Sequence, residues 1–142
     1  IMLIGSMTFA ENMLEIKDKL EQQGHSVNVP CDIEMHVKDN NFIDDLDNDL
    51  KHLIENNILK KCFNLIVQSD AILVLNYPKN GIEGYMGTST LMETGLAYHL
   101  SKKIFILKSP PKSKDHRWAH EVYAMEPIII NDDITRITNQ QK

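Results

Sequence analysis

The sequence predicts an α/β fold: a single doubly wound sandwich, flavodoxin-like or Rossmann-like, with about five parallel strands in one domain spanning residues 1–142. Three observations carry this expectation. Short apolar runs alternate about five times with segments whose apolar residues recur at helical spacing. The run "AILVLN" is apolar throughout, as a central parallel strand covered on both faces requires. The 142 residues, 42% hydrophobic and 25% charged, suit one globular core and contain no repeat, low-complexity tract or internal linker.

The elements follow in order. "IMLIG" is a short strand that stops at Gly5, and Phe9, Met13, Ile16 and Leu20 then mark a helix that ends before Gly24. "HSVNVP" alternates Val27 and Val29 on one face and ends at Pro30, which predicts a second strand. Residues 31–40 are polar and predict a loop. From Asn41 the positions Ile43, Leu46, Leu50, Leu53, Ile54, Ile58, Cys62 and Ile66 follow helical spacing, and Asn56 and Asn57 allow either one long helix or two short ones. After "AILVLN" and a loop over 76–88, a helix starting near Thr90 leads to the buried run "KIFIL". A lysine- and proline-containing loop, a short helix around Trp118 to Met125, the strand "PIII" and a "DDITRI" turn complete the chain.

Composition narrows the function classes. The formal charge of −5 and the pI near 5.6 offer no general basic surface for a nucleic-acid polymer or an anionic membrane. Cys31 and Cys62 form neither a disulfide framework nor a C-x-x-C pair. No apolar run approaches the ~20 residues of a membrane span, and "IMLIG" lacks the charged lead of a signal peptide. A cytoplasmic chain acting on a small molecule is expected, and the start at Ile1 implies a longer original N-terminus.

In a doubly wound sheet the ligand lies beyond the carboxyl ends of the strands, which directs attention to "GSMTF", "NYPKNGIEGYMGTST" and "KSPPKSK". In the first loop Gly5 permits close backbone approach, and Ser6 and Thr8 offer hydroxyls for a phosphate or sugar; a tight turn with Thr8 as helix cap accounts for the same residues. Neither G-x-G-x-x-G nor a P-loop is present. Asp45, Asp47 and Asp49 have D-x-D-x-D spacing but lack the glycine and the final glutamate of a calcium loop, so they read as solvated acids opening a helix. The histidines form no zinc motif, and neither metal nor cofactor is expected. Thr90-Leu91-Met92-Glu93 fits a capping box. A carboxylate there also suits ligand chemistry, because a helix N-terminus favours its ionised form.

The set "GSMTF", "SDAILVLN" and "GTSTLMETGLAYHLSKKIFIL" resembles the nucleoside 2-deoxyribosyltransferase superfamily, including its 2′-deoxynucleoside 5′-monophosphate N-hydrolase branch, over roughly residues 1–107. The resemblance implies that Glu93, within Glu93-Thr94-Gly95-Leu96-Ala97, is the nucleophile that attacks the anomeric carbon of a deoxyribosyl group and forms a glycosyl-enzyme ester. It implies that Asp70 assists near the sugar and base, that Gly95 and Ala97 hold the helix near the sheet, and that Gly5 and Ser6, with Met7 and Phe9 in the same loop, face substrate. Asn76, Tyr85, Gly87, Thr88, Ser89 and Thr90 complete the expected substrate-binding set on the next loop. Lys108 and Ser109, with Lys112 and Lys114, are expected near a 5′-phosphate.

Gly87 stands where the transferases carry an aspartate and the monophosphate hydrolases a serine. Hydrolysis of an N-glycosidic bond in a (deoxy)nucleoside or nucleotide is therefore expected ahead of deoxyribosyl transfer. A nucleotide-binding or sensing module without chemistry is the alternative. A receiver domain or flavin carrier has the same fold, but "NYP" at the third strand's end and "GSMTFAE" lack their residues. The resemblance also implies a homodimer or higher homo-oligomer.

Overall fold

The computed structural model describes residues 1–138. Its sheet is parallel, in the order β1 (Met2–Gly5), β2 (Ala71–Leu75), β3 (Lys103–Ile106) and β4 (Ile128–Ile129). The helices are α1 (Ala10–Gln22), α2 (Ile33–Lys38), α3 (Leu46–Glu55), α4 (Ile58–Gln68), α5 (Thr88–His99) and α6 (Arg117–Ala124).

Side-chain alternation along the strands builds two cores. Leu3, Leu73, Leu75 and Phe105 point to one face, where Met13 and Leu20 of α1 and Ile33 of α2 cover them. Met2, Ile4, Ile72, Val74, Ile104 and Ile106 point to the other, against Ile66 of α4, Ala97 of α5 and Val122 of α6. A strand buried on both faces has no polar side to show, which explains the unbroken apolar run of β2.

Four strands, not five, are present among the described residues. The segment expected as a second strand at 25–30 pairs with β1 through a single parallel bridge, Met2 to Asn28, on the edge of β1 opposite β2. Asn28 makes two backbone hydrogen bonds to β1 and the residue before it, its N–H donating to the Ile1 carbonyl at 2.8 Å and its carbonyl accepting from the Leu3 N–H at 2.9 Å. Pro30 has no N–H to extend the ladder.

Two further expectations change, and one left open resolves to two helices. Residues 33–38 form α2 rather than a loop. The apolar series after Asn41 divides into α3 and α4 at Asn57, whose φ of 52° breaks the helix. Gly95 is not a packing requirement, since a Cβ there would meet nothing within 4 Å, whereas Ala97 is fully buried.

Gly84 is required. Its φ of +71° and the backbone of Ser109 and Pro110 pressed against its Cα leave no place for a side chain. Gly84 thus fastens the 76–87 loop to the chain leaving β3. In urea unfolding, Gly84→Ala is expected to lose about 2 kcal/mol or more, and Gly95→Ala to gain up to about 1 kcal/mol by helix propensity. Shifts of the same sign for both would contradict this packing.

Candidate functional site

The chain leaves β1 toward the Asn28 segment on one side and reaches β2 on the other, so the loops after β1 and β2 diverge. Between them opens a cavity of about 350 Å³, a volume in the range of small-molecule sites. Gly5 closes its floor: a Cβ there would lie 2.8 Å from the Leu75 carbonyl oxygen. The next residue, Ser6, caps a 3₁₀ turn over Met7–Phe9 by accepting from the Thr8 N–H at 3.4 Å. Ser6 rather than Thr8 is the cap, and the Thr8 hydroxyl is buried without a partner among the described residues.

Glu93 enters this cavity from α5. The helix begins at Thr88 with Gly87 as its cap, and its first bond runs from the Leu91 N–H to the Gly87 carbonyl. Thr90 and Glu93 therefore both lie inside the helix, and no capping box forms. Instead Glu93 is 9% exposed, and among the described residues no donor pairs with its carboxyl. Burial, reinforced by the negative charge of Asp32, pushes its pKa up to about 7. The sign is opposite to the helix-end effect expected from the sequence, because that field fades beyond the first turn and Glu93 is the sixth residue of α5.

Across the cavity stands a group the sequence reading missed. Asp32 accepts hydrogen bonds at one oxygen, Oδ2, from Nε2 of His36 at 3.0 Å and Nε2 of His52 at 2.9 Å. Burial, the largest influence, pulls the Asp32 pKa upward, but these two hydrogen bonds together with the charge of His36 and a backbone hydrogen bond hold the carboxyl below its ordinary value. The histidines form no motif along one helix, yet these three side chains converge from two elements. The spacing Asp32-x-x-x-His36 was the available signal, but it lay in a segment read as a loop.

Lys79 was also missed. Its Nζ donates to Ser6 Oγ at 3.1 Å, lies 3.9 Å from Asp44 Oδ1 and sits 5.9 Å from the centre of the Tyr85 ring. Among the described lining residues it is the one lysine or arginine. Cys62 lines the same space, and burial, with the nearby charge of Glu93, pushes its thiol up to about 12, so it stays protonated. Of the expected solvated acids, Asp45 caps α3 and Asp47 is exposed, but Asp49 turns to the cavity, where burial raises its pKa.

The structure brings Gly5, Ser6, Met7, Tyr85, Gly87, Thr88, Ser89 and Thr90 together with Glu93. Seven expected site residues lie elsewhere. Asp70 precedes β2, at the amino edge of the sheet, and lines a separate cavity of about 200 Å³ with His25 and Ser69. Phe9 packs on Tyr77 with ring centres 5.1 Å apart. Asn76 is buried and clamps the backbone of Lys108, donating to its carbonyl at 2.7 Å and accepting from its N–H at 2.9 Å. Lys108 Nζ pairs with Asp132 at 2.9 Å, Ser109 offers its backbone to Gly84, and Lys112 and Lys114 are exposed.

The chain matches no protein-family model, no curated protein and no solved structure.

The raised pKa of Glu93 has a consequence for stability. Between its unfolded value, near 4.5, and its folded value of about 7, the folded chain holds more protons than the unfolded one. Stability therefore falls as pH rises through this window and is flat above it. Glu93→Gln removes the charge, so its advantage over wild type is expected to be absent at pH 4 and to reach at most about 3 kcal/mol at pH 8. Chemical unfolding at both pH values checks this, and an advantage equal at both would contradict it.

Proposed function

We propose that this chain cleaves the N-glycosidic bond of a (deoxy)nucleoside or nucleoside 5′-monophosphate, with Glu93 as nucleophile. One observation carries the reading: a carboxyl without hydrogen-bond partners among the described residues, buried at the mouth of a cavity of about 350 Å³ beyond the strand ends. Glu93 Oε bonds to the anomeric carbon, the C–N electron pair leaves with the base, and water supplies the base's proton. Water then opens the ester and restores the carboxylate. The resemblance of "GTSTLMETGLAYHL" to the deoxyribosyltransferase superfamily supports this role. Lys79, beside Ser6, and the α5 N-terminus at Thr88 and Ser89, where no side chain caps the helix, favour a phosphate-bearing substrate. Hydrolysis is preferred to transfer because Gly87 offers no side chain to a second base.

The second reading is a nucleotide-binding module without turnover. It is favoured by the position of Asp70, which sits at the wrong edge of the sheet to assist Glu93. Base release from a panel of nucleosides and 5′-monophosphates, measured by chromatography, decides between them. Wild type is expected to release base and folded Glu93→Gln to lose at least about 10³-fold. Because attack needs the carboxylate, kcat/KM is expected to rise about tenfold per pH unit below about 7 and to level above it. A bound nucleotide recovered intact from wild type would establish the binding module instead.

We also propose a homo-oligomer formed through α3. Leu46, Leu50 and Ile54, one helical turn apart, are 74%, 57% and 70% exposed, and Leu46 lies at the cavity rim. Such a stripe is costly in water and matches an interface face. Light scattering after size exclusion is expected to show a dimer or larger species that Leu50→Glu converts to monomer; a monomeric wild type would overturn this. Among the described residues no helix is long and apolar enough to cross a membrane.

A further inference from the structure

Asp32, His36 and His52 come from two elements that the sequence separates. Asp32 directly precedes α2, His36 lies one turn further along it, and His52 comes from the last turn of α3. Their ligand atoms all lie within 4.8 Å of one another, and their side chains are 8%, 3% and 15% exposed. A metal ion about 2.0–2.1 Å from tetrahedral ligands holds them roughly 3.3 Å apart. To admit one, the two Asp32–His contacts, 3.0 and 2.9 Å, open by a few tenths of an ångström, and the two imidazoles, whose ligand atoms lie within 4.8 Å, swing toward each other.

We propose that Asp32, His36 and His52 form a site for a borderline transition-metal dication such as Zn²⁺, with a coordination position open to the cavity. The donor set of two imidazoles and one carboxylate selects such ions over calcium or magnesium, which prefer all-oxygen cages. Phe42 packs edge-on to both rings, with centres 6.0 and 5.7 Å away, and limits their rotation. His36 Nδ1 is buried without a partner among the described residues, so this ring makes its polar interaction through Nε2, toward Asp32. Asp32 and His36 line the cavity, which gives the fourth ligand, water or an oxygen of the bound molecule, a route in.

Binding moves protons. Asn56 Nδ2 lies 3.1 Å from both His52 Nδ1 and the His52 carbonyl, so in the metal-free chain it donates to Nδ1, and Nε2–H donates to Asp32. A metal takes the Nε2 lone pair of each ring; the His52 proton shifts to Nδ1, where the Asn56 amide turns to accept it with Oδ1, and the His36 proton shifts to its own Nδ1, which is buried without an acceptor among the described residues. Asn56 becomes the group that orients a metal-bound imidazole.

The site does not rest on the proposed glycosidase activity and is tested by metal binding alone. The full chain, treated with chelator and dialysed, is titrated with Zn²⁺ by calorimetry and with Co²⁺ by visible absorption. One ion per chain and the intense bands of a low-coordinate Co²⁺ site are expected. Affinity is expected to fall at least about 100-fold in His52→Gln and Asp32→Asn, and about tenfold in Asn56→Ala. It is expected to stay unchanged in His120→Gln, which alters an exposed histidine on α6. His52 is the most accessible of the three, so its variant keeps the test open if Asp32→Asn fails to fold. No stoichiometric binding by wild type, or wild-type affinity in folded His52→Gln, would overturn the proposal and leave the cluster a hydrogen-bonded hub.

Discussion

The pairing of β1 on both of its edges is the constraint from which the rest of the molecule follows. One edge takes β2 along four residues, and the other takes only Asn28. Because the chain departs from β1 in one direction and returns in the other, no connection crosses the crevice above Gly5. The near contact of Gly5 with the Leu75 carbonyl brings the two strand ends together at its floor. A side chain at that position would push β1 and β2 apart where the cavity begins.

The cavity is acidic by construction. Glu93, Asp32, Asp44 and Asp49 line it, against the single ammonium group of Lys79 among the described lining residues. The two histidines hold Asp32 ionised, and its charge adds to the burial that keeps Glu93 partly protonated near neutrality. Such an arrangement opposes folding, because burial strips the Glu93 carboxyl of much of its water and no protein hydrogen bond among the described residues replaces it. Costs of this kind persist where a ligand supplies the missing interaction.

Much of the fold was legible because burial on both faces leaves an unmistakable apolar run at "AILVL" and "KIFI", and helical spacing survives in α1, α4 and α6. The Asn28 segment was overread, since alternation of Val27 and Val29 does not reveal that only one residue pairs. The helix α2 was missed because six residues with only Ile33 and His36 buried carry too little pattern. Within the site, Glu93 and the two glycine-bearing loops were visible as local motifs. The Asp32 cluster was not, because His52 joins it from a helix 20 residues away. Asp70 was misplaced for a reason the sequence itself contained: a residue before a strand lies at its amino end, while the crevice of a parallel sheet lies at the carboxyl ends.

The ionisation of Glu93 is the physical property on which the functional reading turns. A titration of its side-chain carboxyl carbon by ¹³C NMR, assigned by comparison with Glu93→Gln, measures it without any assumption about substrate. A midpoint of about 7 is expected, against the ordinary 4.5. A midpoint near 4.5 would mean that water and cations reach the carboxyl freely, and it would contradict the buried, partnerless Glu93 described here.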